Sequence, residues 1–115
     1  HLQIPEGVEV YEINGPYYFG IANKFEEMMA SMDNNPRVRI IRMRKVPFID
    51  STGIHNLTNL IRMNQEDGIH IILSGVSPKL HKQLEKARFY NLIAPDHICP
   101  HIDIALEKAR EFLAK

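Results

Sequence analysis

Disulfide potential, tryptophan and net charge are all missing from this 115-residue sequence, which has one cysteine, no Trp and a formal net charge of zero. One thiol, Cys99, cannot form an intramolecular disulfide, so the fold is not a disulfide scaffold and its setting reads as reducing and cytosolic. Fourteen Lys and Arg balance fourteen Asp and Glu, which removes the electrostatic footprint of a dedicated nucleic-acid binder; nucleic acid is not an expected partner. No apolar run approaches the roughly 20 residues that a membrane-spanning helix needs, and no charged-then-apolar start resembles a signal peptide. Neither a glycine-rich phosphate loop nor a Gly-x-Ser-x-Gly elbow is present. The chain opens on His1 and not on Met, the mark of an excised segment or a tag remnant, so a longer parent protein is expected.

What is present is ordinary for one globular domain. The apolar share is 44% and the charged share 24%, enough for one core and no second. Residues 1–7, with Pro5, Gly7 and no period, read as a linker or expression remnant, and residues 8–115 as the domain. Val8, Val10 and Ile13 interleaved with Glu9 and Glu12, then Asn14-Gly15 and Tyr17-Tyr18-Phe19, predict an antiparallel hairpin. Ile21, Phe25, Met28, Met29 and Met32 have helical spacing, ended by Asp33-Asn34-Asn35-Pro36. Val38–Met43 predicts a strand, and Val46-Pro47-Phe48-Ile49 a strand end turning into a helix with Ile54, Leu57, Leu60 and Ile61 on one face.

Ile69–Leu73 reads as a buried strand, and Ser77-Pro78 opens a helix lined by Leu80, Leu84 and Ala87 that runs to about Asn91. After the short segment Asp96–Cys99, a stripe of Ile102, Ala105, Leu106, Ala109, Phe112 and Leu113 predicts a last helix. Strands alternating with helices predict an α/β layer. Its centre is a mixed β-sheet, the initial hairpin its antiparallel part, packed by about four α-helices.

Asp50-Ser51-Thr52-Gly53 puts a carboxylate and two hydroxyls where a strand feeds a helix, and the free N–H groups and positive dipole end there favour negative charge. A phosphate suits such a place, although a plain N-cap with Gly53 easing the turn accounts for the same residues. Ser51 and His55 stand four apart with Asp50 adjacent, which invites a nucleophile–base reading. The spacing suggests no relay, so no catalytic residue is assigned. His97, Cys99 and His101 alternate along one side of an extended segment, but Pro100 interrupts them and a fourth ligand is not evident, so no metal and no cofactor is expected. Arg37, Arg39, Arg42, Arg44 and Lys45 form a basic cluster, readable as a solvated edge or as a surface for anionic headgroups.

The four-residue loop resembles the signature loop of STAS domains, shared by anti-sigma-factor antagonists and the cytosolic tails of SulP-type sulfate and anion transporters. In the antagonists the hydroxyl residue just before the motif glycine is phosphorylated; Thr52 holds that place here, where serine is usual, and Ser51 is a second candidate. Asn14-Gly15-Pro16-Tyr17-Tyr18-Phe19-Gly20 with Lys24-Phe25-Glu26, Val46–Asp50, Gly68–Val76 and Pro100–Leu106 are similar to the transporter branch, so the likeness covers nearly all of Val8–Leu113. It implies a STAS fold and a non-catalytic regulatory domain on the cytoplasmic face of the inner membrane. Implied partners are the transmembrane domain of the same transporter, a homodimer mate and a cytosolic regulatory protein. Asp50, Ser51, Thr52, Gly53, His55 and Asn56 would form the partner-facing surface. The competing implication is a free-standing anti-sigma-factor antagonist switched by phosphorylation at Thr52.

Overall fold

Val38-Arg39-Ile40-Ile41-Arg42 is β-branched at three of its five positions, the composition of a strand covered on both faces, and it forms the middle of the sheet. In the computed structural model, which describes residues 2–15, 27, 30–31 and 36–115, β1 (Val8–Glu12), β2 (Val38–Arg42) and β3 (His70–Ser74) lie in the order β1-β2-β3. Both ladders are parallel, with Val8 opposite Val38 and Val38 opposite His70. Three α-helices are described: α1 (Ser51–Glu66), α2 (Pro78–Lys86) and α3 (Ile102–Leu113). Single 3-10 turns at Phe89–Asn91 and Pro95–His97 lie between α2 and α3.

The alternation of side chains along parallel strands gives the sheet two buried faces. Ile41, Ile71 and Leu73 pack with Leu57, Leu60 and Ile61 of α1 and with Leu80 and Leu84 of α2. On the opposite face Val38, Ile40 and Ile72 meet Ala105, Leu106 and Ala109 of α3. Small residues on α3 let that helix lie close to the central strand. Arg39, only 3% exposed, shares the α1 side: it donates to Glu9 on β1 at 2.6 Å and to Asn64 Oδ1 on α1. A buried guanidinium is tolerable because both partners are in place.

Several expectations are corrected by this architecture. Among the described residues the sheet is parallel throughout, with β1 paired to β2, where a mixed sheet was expected. The second hairpin strand expected at Tyr17–Phe19 lies outside the described residues, as does most of the first predicted helix; Glu27, Ala30 and Ser31, which are described, are helical. Three helices are therefore described against about four expected. Val46–Ile49 belongs to no strand. The helix expected to reach Asn91 stops at Lys86, because Arg88 turns into the left-handed region with φ 60°.

The basic cluster is largely an internal lattice. Glu9 opposes Arg39 and Glu12 opposes Arg42 in the parallel register, and Glu12 also receives Arg44 at 2.5 Å and Lys45 at 3.3 Å. The hydrogen bond from Arg44, helped by Lys45 and opposed by partial burial, holds the Glu12 carboxyl below its ordinary range.

Candidate functional site

All three described strands point the same way, so their carboxyl ends gather at one end of the sheet, where open α/β folds present their sites. There the chain leaves β2, turns through Val46-Pro47-Phe48-Ile49 and enters α1. The entry is held from outside. Ile49 N–H donates to Gln83 Oε1 at 2.9 Å, and Gln83 Nε2 donates back to the Ile49 carbonyl at 3.0 Å, so one side-chain amide on α2 stands in for a neighbouring strand. Asp50 is the N-cap: its Oδ1 accepts from Gly53 N at 2.7 Å, and its carbonyl takes the first helical bond from Ile54 N at 2.8 Å.

The glycine is dictated by packing. A Cβ at Gly53 would stand 2.5 Å from Ile49 Cγ1, and Ile49 is buried, so any side chain there would force Ile49 to shift where α1 meets the incoming loop. Ser51 and Thr52 consequently occupy the first two helical positions with exposed side chains. The helix cannot satisfy its own first amides, and Asp50 has taken the third. Two hydroxyls and two amides thus stand together at the positive end of a 16-residue helix.

The predicted residues divide. Asp50, Ser51, Thr52 and Gly53 form one capped unit, with His55 exposed and Asn56 half-buried a turn further on. His55 is not drawn to Ser51; Asn59 Nδ2 donates to its Nε2 at 3.2 Å, one turn along. Gln83, which fixes the loop, carries no signal in a linear reading because it lies 34 residues away. His97, Cys99 and His101 do not converge: His97 leans on Asp96 at 3.6 Å, the Cys99 thiol is buried and donates to the Asp96 carbonyl, and His101 is exposed at the N-cap of α3. Burial pushes the Cys99 thiol up, away from the thiolate a metal needs. Among the described residues no group of three or more His, Cys, Asp or Glu is placed to hold a metal ion, and no helix is long and apolar enough to cross a membrane.

At the opposite edge, where β3 begins, a cavity of about 410 Å³ is bordered by Gln65, His70, Leu92, His97 and Phe112. The His70 ring stacks on Phe112 with centroids 4.1 Å apart and meets His97 edge-on at 4.7 Å. Its Nε2 is buried and makes no hydrogen bond. Burial above all, then the nearby charges of His97 and Lys115, lowers the pKa of His70 below its ordinary 6.5.

The profile of the STAS domain family matches residues 1–105. A sulfate transporter family protein from Wolinella succinogenes superposes with a TM-score of 0.88 at 37% identity, covering 99% of this chain and 93% of that one. The STAS domain of a SulP transporter from Vibrio cholerae gives 0.83 at 32% identity, covering 98% and 89%. Sulfate transporter 1.3 of Arabidopsis thaliana is 30% identical over 104 residues, which are 80% of this chain and 16% of that protein. The chain spans 16–18% of the length of the curated relatives it matches.

Proposed function

The chain belongs to the STAS domain family, and from that premise we propose that it is the non-catalytic regulatory domain of a SulP-type sulfate or anion transporter. The observation that carries this reading is the loop Asp50–Gly53: exposed hydroxyls on a helix start that Gln83 and Ile49 hold rigid, on a fold shared with the STAS domain of a SulP transporter. In this role residues 8–115 are the domain and residues 1–7 its linker to what precedes it. It sits at the cytoplasmic face of the membrane. Asp50, Ser51, Thr52, Gly53, His55 and Asn56 face the transmembrane domain or a cytosolic regulator, and a second copy supplies a homodimer contact. Phosphorylation of Thr52 or Ser51 adds a charge of about −1.5 to −2 at a helix N-terminus, which stabilises α1 while inverting what the docking surface offers a partner.

The test uses the intact parent protein. Its reading frame is expected to encode membrane-spanning segments upstream of this domain, and Thr52→Glu is expected to change sulfate uptake by about fivefold, the lower end of ordinary coupling between sites. Expression and Tm should remain at the wild-type level, since a carboxylate in the first helical turn is favourable. A frame without such segments, together with phosphorylation of Thr52 by a partner kinase, would overturn this reading in favour of a free-standing anti-sigma-factor antagonist, a role the exposed Thr52 hydroxyl also suits.

A further inference from the structure

Two helices of this fold hand the chain on through a residue in the left-handed region. After α1 that residue is Gly68, with φ 77°; after α2 it is Arg88, with φ 60°. Glycine is the usual occupant, having no Cβ to crowd the carbonyl. Arg88 is the one non-glycine residue with positive φ among the described residues. An arginine held there is strained, and strain of this kind gathers where a side chain has work to do.

Arg88 lines a concavity of about 200 Å³ between α1 and the 3-10 turn after α2, whose other polar residues are Arg62, Thr58 and Asn91. Arg39, Arg42 and Arg44 each meet a carboxylate. Arg62 and Arg88 meet none among the described residues, and both are exposed. Thr58 donates its own proton to the Ile54 carbonyl at 2.7 Å, so the side-chain donors that the lining residues can offer an anion are those of Arg62, Arg88 and Asn91. Ala87, Phe89 and Leu92 complete the lining with apolar residues, which strengthens any charge-assisted bond formed above them.

We propose that this concavity binds a small tetrahedral oxyanion, sulfate or phosphate, either free or as the terminal group of a phosphate ester. The chemistry is selective on three counts. The space is below the roughly 300 Å³ of an ordinary small-molecule pocket, its polar lining carries positive charge and no carboxylate, and guanidinium forks match the oxygen spacing of such anions. Thr58 and Arg62 lie along α1 away from Ser51 and Thr52, so the site does not depend on the role proposed for the Asp50–Gly53 loop.

The 115-residue chain is titrated at fixed ionic strength with sodium sulfate, sodium phosphate or phenyl phosphate replacing sodium chloride, followed by backbone amide NMR shifts and by Tm. Saturable shifts are expected at Thr58, Arg62, Arg88 and Asn91, accompanied by a rise in Tm. Arg62→Gln and Arg88→Gly are each expected to weaken binding at least about tenfold, equivalent to about 1.4 kcal/mol. In chloride alone Arg88→Gly is expected to hold or raise Tm, because glycine relieves the left-handed turn. That pairing separates a ligand-bearing arginine from a structural one. Binding of the inorganic anions identifies free ions as the ligand; binding of phenyl phosphate alone identifies an ester. Equal responses to chloride and sulfate, shifts that map elsewhere, or affinity unchanged in both variants would overturn the proposal.

Discussion

Gly53 and Gly75 are glycines for different physical reasons, and alanine at each separates them. Gly53 has an ordinary helical backbone, and its added Cβ would press on the Ile49 side chain, which has some freedom to give. Gly75 has φ 69°, and its added Cβ would stand 2.6 Å from the Arg44 backbone nitrogen and 2.8 Å from Arg44 Cα. Backbone cannot step aside while Met43 N–H is bonded to the Ser74 carbonyl at 2.7 Å. Gly75→Ala is therefore expected to cost about 2–4 kcal/mol, strain and overpacking together, and Gly53→Ala about 1–3 kcal/mol. Gly15, with φ 106° and nothing among the described residues within 4 Å of its would-be Cβ, supplies a comparison in which Gly15→Ala should show mainly the backbone term, about 1–2 kcal/mol. Urea denaturation of the three variants tests the order.

Helix α1 starts where it does because α2 holds the preceding loop. Gln83 makes two hydrogen bonds to Ile49, each worth about 0.5–1.5 kcal/mol net, so Gln83→Ala is expected to cost about 1–3 kcal/mol and to speed amide exchange at Ile49 while leaving α3 protected. Equal exchange across all helices would show instead a general loss of stability. The same pairing marks the limit of what the chain discloses in linear form. The apolar periods of α1 and α3, the Ser77-Pro78 start of α2 and the strands at Val38 and Ile69 are legible because burial of one helix face, or of both strand faces, writes a short-range pattern. The Asp50 cap is legible for the same reason. The pairing of β1 is not: no local pattern near Val8–Glu12 points to Val38–Arg42, its parallel neighbour. Nor is the charge lattice, since only the register sets Glu9 against Arg39 and Glu12 against Arg42. Asp50 to Gly53 could be found from local chemistry; Gln83, Arg62 and Arg88 depend on which turns meet across the fold.

Three separate parts of the molecule, the start of β3, the Pro95–His97 turn and the end of α3, close on His70. The unfolded chain protonates this histidine near its ordinary 6.5, whereas the folded domain resists until lower pH, so His70 contributes full stability above 6.5 and loses it as pH falls through and below that value. Tm is expected to drop between pH 7 and pH 5 more steeply in the wild type than in His70→Gln, which does not titrate. The lowered carboxyl of Glu12 acts in a different window: it supports the fold above its ordinary 4.5 and is lost only as the pH falls below that, so the two contributions separate in one melting series. The parallel register has a further consequence, for how the chain reaches this state. Val8 pairs with Val38 and Val38 with His70, separations of 38 − 8 = 30 and 70 − 38 = 32 residues, so neither ladder can zip from a turn. Each must wait for a long segment to close on itself, which makes β2 the rendezvous for both ends and sets the domain among slow, high-contact-order folders. During synthesis the β2 surface meant for β3 stays uncovered until Ser74 has emerged, and Val38 and Ile40 stay uncovered on the other face until α3 follows.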